Sequence, residues 1–277
     1  MDLTFETVPC DLCGSDRWEK TISGHDHLTG LPGSFQFVRC LQCGLVRQNP
    51  RPTPSALDAY YPEHYPSFAR SVESRRNVIR RLDHRYGQRK RVRVVTRFCR
   101  TGRVLDVGCG TGDFLWEMNH TGNWQTLGVE PNPYACGYVR RVLGLDVICG
   151  TLGAASLASA AFDVVTMWNT LEHVHDPKRN FKQAHRILRP GGFLVFSVPV
   201  VHSLLRQWFG SYWAEWDLPR HMTIFSRQTV ERFLREPGLH LRAIRSLFTE
   251  YRVFRMSLEH WTDEHVSSGK MRRAIPA

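Results

Sequence analysis

From Arg103 onward, short apolar runs alternate with helical patterns. Residues 104–108 (VLDVG), 127–130 (LGVE), 146–149 (DVIC), 162–168 (FDVVTMW) and 193–199 (FLVFSVP) are apolar, β-branched runs of strand length. Between them Phe114, Leu115 and Met118 fall at helical spacing, as do Tyr134, Ala135, Tyr138, Val139 and Val142, and later Phe181, Ala184, Ile187 and Leu188. A helix between successive strands returns the chain to the same end of the sheet, so the alternation predicts a mostly parallel sheet covered on both faces. Ser226 is placed to cap one more helix bearing Val230, Phe233 and Leu234, and residues 239–248 (LHLRAIRSLF) offer late strand material.

Upstream the rhythm is different. Residues 1–50 are rich in glycine and cysteine, with a strand-like piece at 35–38 (FQFV). Residues 49–66 are studded with proline, which excludes long regular elements. Next, Val78, Ile79, Leu82 and Tyr86 share a helical face, as do Val92, Val95 and Phe98/Cys99, with charges between them. The chain therefore divides into residues 1–50, a linker with basic amphipathic helices at 51–100, an α/β domain at 101–250 and a weakly patterned tail at 251–277.

Composition narrows the class. The 277 residues are 42% hydrophobic and 23% charged, which excludes global disorder, collagen and coiled coil. The longest apolar run, 193–201, is too short to span a bilayer, and the acidic N-terminus lacks a signal-peptide core. A cytoplasmic location follows as an expectation, and there the eight cysteines serve as metal ligands or buried thiols rather than disulfides. The net charge is +11, and residues 70–103 alone carry thirteen basic residues against Glu73 and Asp83. Such a stripe fits an acidic partner (nucleic acid, a phosphorylated substrate or an anionic membrane surface) or a solvated helix face.

Two motifs carry chemistry. Cys10-Asp-Leu-Cys13-Gly and Cys40-Leu-Gln-Cys43-Gly form a doubled C-x-x-C-G knuckle that presents four thiolates to one zinc ion. Four thiolates leave no open coordination position, so such a zinc is structural, supplying stability that fifty residues cannot draw from a core. His25 and His27 read as non-ligands, and Cys99, Cys109, Cys136 and Cys149 as unligated. The second motif is the turn Gly108-Cys-Gly110-Thr-Gly112 at the end of the first α/β strand, where open α/β sheets bind ligands. Glu130 ends the next strand, where a carboxylate accepts ribose hydroxyls. These features alone leave NAD, another nucleotide or a related cofactor open.

The ordered motifs VLDVGCGTGDFL, GVEPNP, FDVVTMWNTLEHVHDP and HRILRPGGFLVFSVP resemble the Rossmann-like (class I) S-adenosylmethionine-dependent methyltransferases over residues 101–250. The resemblance implies a doubly wound, mostly parallel seven-stranded sheet with S-adenosylmethionine across the strand tips. Asp106, Gly108, Gly110 and Gly112 would line the methionine side and Glu130 the ribose. Thr151 and Leu152 would lie near the adenine, with Trp168 and Asn169 at the sulfonium end. A zinc ribbon ahead of such a domain also resembles a bacterial group associated with sugar, cell-envelope and natural-product pathways.

Three further clusters are candidates for the chemistry. His173 lies in Leu171-Glu-His-Val-His-Asp176, which lacks the fourth position of a metal site and reads as a loop with Asp176-Pro177 opening a helix. His202 follows the fifth strand. The non-periodic run 213–226 gathers Trp213, Trp216, Asp217, Arg220 and His221, and the zinc-ribbon group it resembles often carries a similar D-x-P-R-H segment. His221 is the first choice for general base, or else a histidine bonding the loop backbone; Arg220 is an anion contact. The expected activity is methyl transfer to O, N or C of a small-molecule acceptor, anionic ones included. The alternatives are RNA methylation, with the zinc module and basic helices gripping phosphate, and a catalytically silent scaffold. The pattern says nothing about oligomeric state.

Overall fold

The computed structural model describes residues 4–61, 78–246 and 250–267. The N-terminal part holds β1 (Phe5–Glu6), β2 (Trp18–Gly24), β3 (Phe35–Cys40), β4 (Val46–Gln48), β5 (Arg51–Pro52) and the short α1 (Pro54–Asp58). The FQFV piece is strand, as its pattern predicts. β3 lies between two neighbours, which is why Phe37 and Val38 are both buried although they point to opposite faces.

The α/β part begins with α2 (Val78–Thr96), followed by β6 (Gly102–Val107), α3 (Asp113–Asn119), β7 (Trp124–Glu130), α4 (Pro133–Arg141) and β8 (Val147–Cys149). It continues through β9 (Phe162–Trp168), α5 (Pro177–Ile187), β10 (Leu188–Ser197), α6 (Leu204–Phe209), β11 (Thr223–Ile224), α7 (Arg227–Arg235) and α8 (Glu250–Ser267). All pairings in the large sheet are parallel, in the order β10-β9-β6-β7-β8. Leu105 and Val107 on β6 face a core shared with α5 and α7, while Val104 faces a second core with α2, α3 and α4. Asp106 has the parity of Val104 and so starts out on the side where the cofactor turn opens.

Among the described residues this sheet has five strands, not the seven that the resemblance implies. Residues 239–246 form no strand: Leu239 and Leu241 pack on the core, but 242–246 are exposed and bury no alternating face. Residues 247–248 lie outside the described set. The four-cysteine segment is also not a self-contained ribbon. β11, from far along the chain, pairs antiparallel with β4 through Thr223↔Arg47 and Ile224↔Val46 and completes a sheet ordered β11-β4-β3-β2.

The basic stretch from residue 78 is one continuous helix, and only part of its expected apolar face is used. Val92 and Val95 are buried, whereas Leu82 and Tyr86 are exposed; the side chains of Val78 and Ile79 lie outside the described set. Arg85 and Arg89 both reach Glu117 on α3, at 2.7 and 3.3 Å, so part of the charge fastens α2 to the domain. The tail is structured as α8. Its inner face includes Val253, Met256, Ser257 and His260, too polar a set for hydrophobic periodicity to reveal. The Ser257 hydroxyl accepts a hydrogen bond from the Ala214 amide at 2.9 Å, tying α8 to the 213–226 segment.

Ser226 caps α7 as predicted, with Thr229 completing a reciprocal capping box. Ser226→Ala is expected to lower folding stability by about 1 kcal/mol, read as an earlier denaturant midpoint.

Candidate functional site

β6 ends at Val107, and Gly108, Gly110 and Gly112 then take φ of 69°, 54° and 76°. A Cβ at Gly108 would stand 2.6 Å from the Thr170 hydroxyl, and one at Gly112 2.9 Å from Val139, so conformation and space both require glycine here. The turn delivers the chain into α3. Glu130 reaches across from the tip of β7 and accepts hydrogen bonds from the Gly110 amide at 2.8 Å and the Asn132 amide at 2.9 Å. Burial raises its pKa, with those two amides opposing. Asp106 accepts a hydrogen bond from the Thr166 hydroxyl at 2.6 Å, and burial pushes its pKa up to about 7.

Leu152 is buried and Thr151 exposed just beyond β8; Trp168 is buried at the end of β9, and Asn169 follows at φ 53°. The proposed cofactor residues thus leave neighbouring strands at the same, carboxyl end of the sheet. Sequence reasoning missed one further group. The Arg91 guanidinium of α2 lies over the Trp168 ring at 5.3 Å, and its hydrogen bond to Gln88 is a long 3.4 Å. Burial lowers its pKa while the charge of Asp106 opposes this. In the sequence Arg91 is one of many arginines, with no local signal to single it out.

Beside this turn stands a second cluster. Leu171–His173 is a single 3-10 turn after β9, and it buries Glu172 completely. Burial pushes the Glu172 pKa to about 7, against the attraction of His221. The Asn169 side chain lowers that value slightly but makes no hydrogen bond of ordinary geometry with either carboxylate oxygen. Ligating atoms of Glu172, His173 and His221 all lie within 4.8 Å of one another. His173 Nδ1 is 2.8 Å from the Tyr61 hydroxyl and 3.2 Å from the Arg220 carbonyl, and burial lowers its pKa to about 3, so the ring is neutral. His221 Nδ1 is 2.7 Å from the Glu215 carbonyl, an acceptor only, so that nitrogen carries a proton, and Nε2 lies 3.8 Å from an Asp217 carboxylate oxygen.

The segment bearing His221 is fixed from the N-terminal sheet. The Gln48 amide donates to the carbonyls of Pro219 at 2.8 Å and His221 at 2.6 Å. Arg220 is fully buried and pairs with Asp26 at 2.7 Å and Asp217 at 2.6 Å, so its charge is taken up inside the protein and it holds the loop. Burial works against the Asp217 carboxylate, but Arg220 and then His221 hold its pKa below the usual range. Trp213, Trp216 and Asp217 line a cavity of about 290 Å³ with His27, His260 and Glu264. His202 is exposed and lines a different cavity, of about 490 Å³, with Lys20, Arg39 and Cys43. Of the three candidate bases, then, His173 and His221 come together and His202 stands apart.

The four cysteines do converge. Cys10 and Cys43 sulfurs are 3.5 Å apart, and those of Cys13 and Cys40 are 3.6 Å apart. Four thiolates around a zinc ion at 2.3 Å are separated by about 3.8 Å, so the donor set fits a tetrahedral zinc. Gly14 and Gly44, at φ 75° and 77°, donate back to the carbonyls of Cys10 and Cys40 and close the two knuckles.

An open parallel sheet with a glycine turn after one strand and a buried acid ending the next defines a nucleotide-cofactor-binding α/β domain. A profile of the methyltransferase-domain family matches residues 75–244, well over half of the chain, and the protein belongs to that family. The ubiquinone biosynthesis O-methyltransferase of Burkholderia pseudomallei is 29% identical over 173 residues, covering 58% of this chain and 74% of that protein. The tRNA U34 carboxymethyltransferase of Klebsiella pneumoniae is 38% identical over 108 residues, 36% of this chain. The chain spans about a third of the length of the tRNA-modifying relatives it matches (32% in that case). Among solved structures, a SAM-dependent methyltransferase from Thermotoga maritima, titled a possible histamine N-methyltransferase, has 27% identity and a TM-score of 0.48. It covers 58% of this chain and 74% of its own.

Two outcomes follow from this geometry. In the unfolded chain Glu172 titrates near 4.5 and in the fold near 7, so between these values the folded protein holds a proton that the unfolded one releases. Its contribution to stability is complete below that window and falls as pH rises through it. Glu172→Gln should flatten this part of the stability–pH curve, measured by denaturant midpoints. Because the Cys40–Cys43 knuckle runs directly into β4 and Gln48, chelation of a metal held by the four cysteines would be expected to shift Trp213 and Trp216 fluorescence before cofactor affinity changes.

Proposed function

We propose that the chain transfers a methyl group from S-adenosylmethionine to O, N or C of a small-molecule acceptor, with zinc held structurally by Cys10, Cys13, Cys40 and Cys43. The observation that carries this reading is the packing of Gly108, in the glycine turn closed by Glu130, against Thr170, from which the chain runs straight into the Glu172–His173–His221 cluster. Asp106 and Gly108, Gly110 and Gly112 would hold the methionine end, Glu130 the ribose, and Thr151 and Leu152 the adenine. Trp168 and Asn169 would border the sulfonium end, and Arg91 would meet the cofactor's carboxylate. When bound, the cofactor supplies an already activated methyl group, so orienting the acceptor is the protein's main task. His221 Nε2 then takes the acceptor's proton, and buried Glu172 steadies the imidazolium that results. Neutral His173 packs edge-on against His221, with ring centroids 4.6 Å apart. Arg220 serves this chemistry by holding the loop.

RNA is the second reading, favoured by the tRNA-modifying relatives and the net charge of +11. The pairing of Arg85 and Arg89 with Glu117 weighs against it, since those charges are already partnered. Arg75 and Arg76 lie outside the described residues, as do the side chains of Arg80 and Arg81.

His221→Ala should lower turnover by about 10²–10⁴-fold while cofactor affinity holds, the range for loss of a general base. Full turnover in that variant would remove His221 from the chemistry. Glu130→Ala should weaken cofactor binding by about 1.5–3 kcal/mol in titration calorimetry. Neutralising Arg75, Arg76, Arg80 and Arg81 should leave a small acceptor's kinetics unchanged; a flattened salt dependence of RNA binding would favour the second reading. Cofactor binding without transfer to any acceptor in fractionated extract would mark a scaffold.

A further inference from the structure

The turn Leu171–His173 supplies two neighbouring donors, Glu172 and His173, and the loop held by Arg220 brings His221 against them. The motif around His173 by itself is too short a donor set for a metal; the fold adds the third donor from a distant segment. Their ligating atoms lie within 4.8 Å of one another. Donors on a tetrahedral ion at about 2.1 Å stand about 3.4 Å apart, so closing on one asks for side-chain shifts of about 1.4 Å at most. Glu172 has no solvent exposure, and neither carboxylate oxygen has a hydrogen-bond partner of ordinary geometry among the described residues. A buried carboxyl left in that state calls for a partner of another kind.

We propose that Glu172, His173 and His221 form a second metal site, for a divalent ion of the zinc class, distinct from the four cysteines. Two imidazoles and one carboxylate are the donors of zinc sites that keep a fourth position open. Imidazole selects zinc-like ions over magnesium or calcium, which prefer oxygen. The outer contacts fit as well. His221 Nδ1 meets the Glu215 carbonyl at 2.7 Å, and His173 Nδ1 meets the Arg220 carbonyl at 3.2 Å and the Tyr61 hydroxyl at 2.8 Å. A hydrogen bond from the far ring nitrogen to a carbonyl is what orients a metal-binding imidazole, and it leaves Nε2 of both rings to face the ion. The Asp217 carboxylate, 3.8 Å from His221 Nε2, adds negative charge beside the cation. The metal site itself stands independently of the methyl-transfer reading. Its consequence for turnover rests on that reading: an ion on His221 Nε2 and the acceptor's proton are alternative occupants of one lone pair, so the ion inhibits transfer.

The test is titration of the full-length chain, first given one equivalent of zinc for the cysteines, with cobalt(II) followed by visible absorption. One further equivalent is expected, with ligand-field bands and without the thiolate-to-cobalt charge-transfer band that a cysteine site gives. Glu172→Gln and His221→Ala should each weaken that uptake by more than the about 10–100-fold that loss of an outer contact costs. His202→Ala, whose ring stands apart, should leave it unchanged. Cooperative denaturant unfolding shows that each variant is folded. The proposal is overturned if no further cobalt binds, if all of it carries the thiolate band, or if both ligand variants bind it as tightly as the parent. In the second arm, zinc added beyond the first equivalent should suppress methyl transfer to fractionated extract in step with occupancy of the second site. Undiminished transfer at full occupancy would overturn the exclusion at His221. Absence of any transfer with the second equivalent still bound would sink the methyl-transfer reading and leave the metal site standing.

Discussion

The arrangement of the site depends on one buried cation. Arg220 sits with no solvent exposure between Asp26, from the N-terminal β-hairpin, and Asp217, from the loop that carries His221. Asp26 is in turn held by the Thr29 hydroxyl and by the amides of Leu28 and Thr29, so the far end of the bridge is rigid. Taking three charges out of water is costly, and such a bridge adds little net stability compared with an apolar replacement. Breaking it by removing one partner is different, since an uncompensated buried charge costs about 3–5 kcal/mol. The bridge therefore acts as a register device: the loop has one low-energy position relative to the N-terminal sheet, and that position puts the His221 ring against His173.

Seen this way, the four-cysteine segment belongs to the site. Its second knuckle leads into β4, whose Gln48 holds two carbonyls of the loop and whose edge accepts β11. Arg51, just beyond, donates to the carbonyl of His175 at 2.7 Å. The segment from Cys40 to Arg51 thus touches both sides of the Glu172 turn. A metal among the cysteines would stiffen the back wall of the acceptor region while remaining outside its chemistry.

What could be read from the sequence was what local pattern encodes. The strands that end in the glycine turn and in Glu130, the Asp176 and Ser226 caps and the doubled knuckle all have short-range signatures, and each is found in place. What escaped were contacts between distant segments. β11 is two residues long and carries no periodicity. α8 buries Ser257 and half-buries His260 on its inner face, so its amphipathic signal is faint. Arg220 resembles any loop arginine until Asp26 appears opposite it. Arg91 differs from its neighbours Arg89 and Arg93 only by the direction in which the helix turns it, toward Trp168 and not toward Glu117 or solvent.

The late arrival of β11 has a consequence for synthesis. The N-terminal sheet is built from residues 18–48, yet its fourth strand and the arginine that neutralises Asp26 come from residues 220–224. As the chain leaves the ribosome, that sheet stays one edge short, with Asp26 unpaired, until most of the α/β domain has been made. Contacts of such long sequence separation form slowly and leave an exposed strand edge in the meantime. A metal bound early by Cys10, Cys13, Cys40 and Cys43 would close the first fifty residues while β4 waits for its partner, giving the knuckles a use during folding that is distinct from their place in the finished protein.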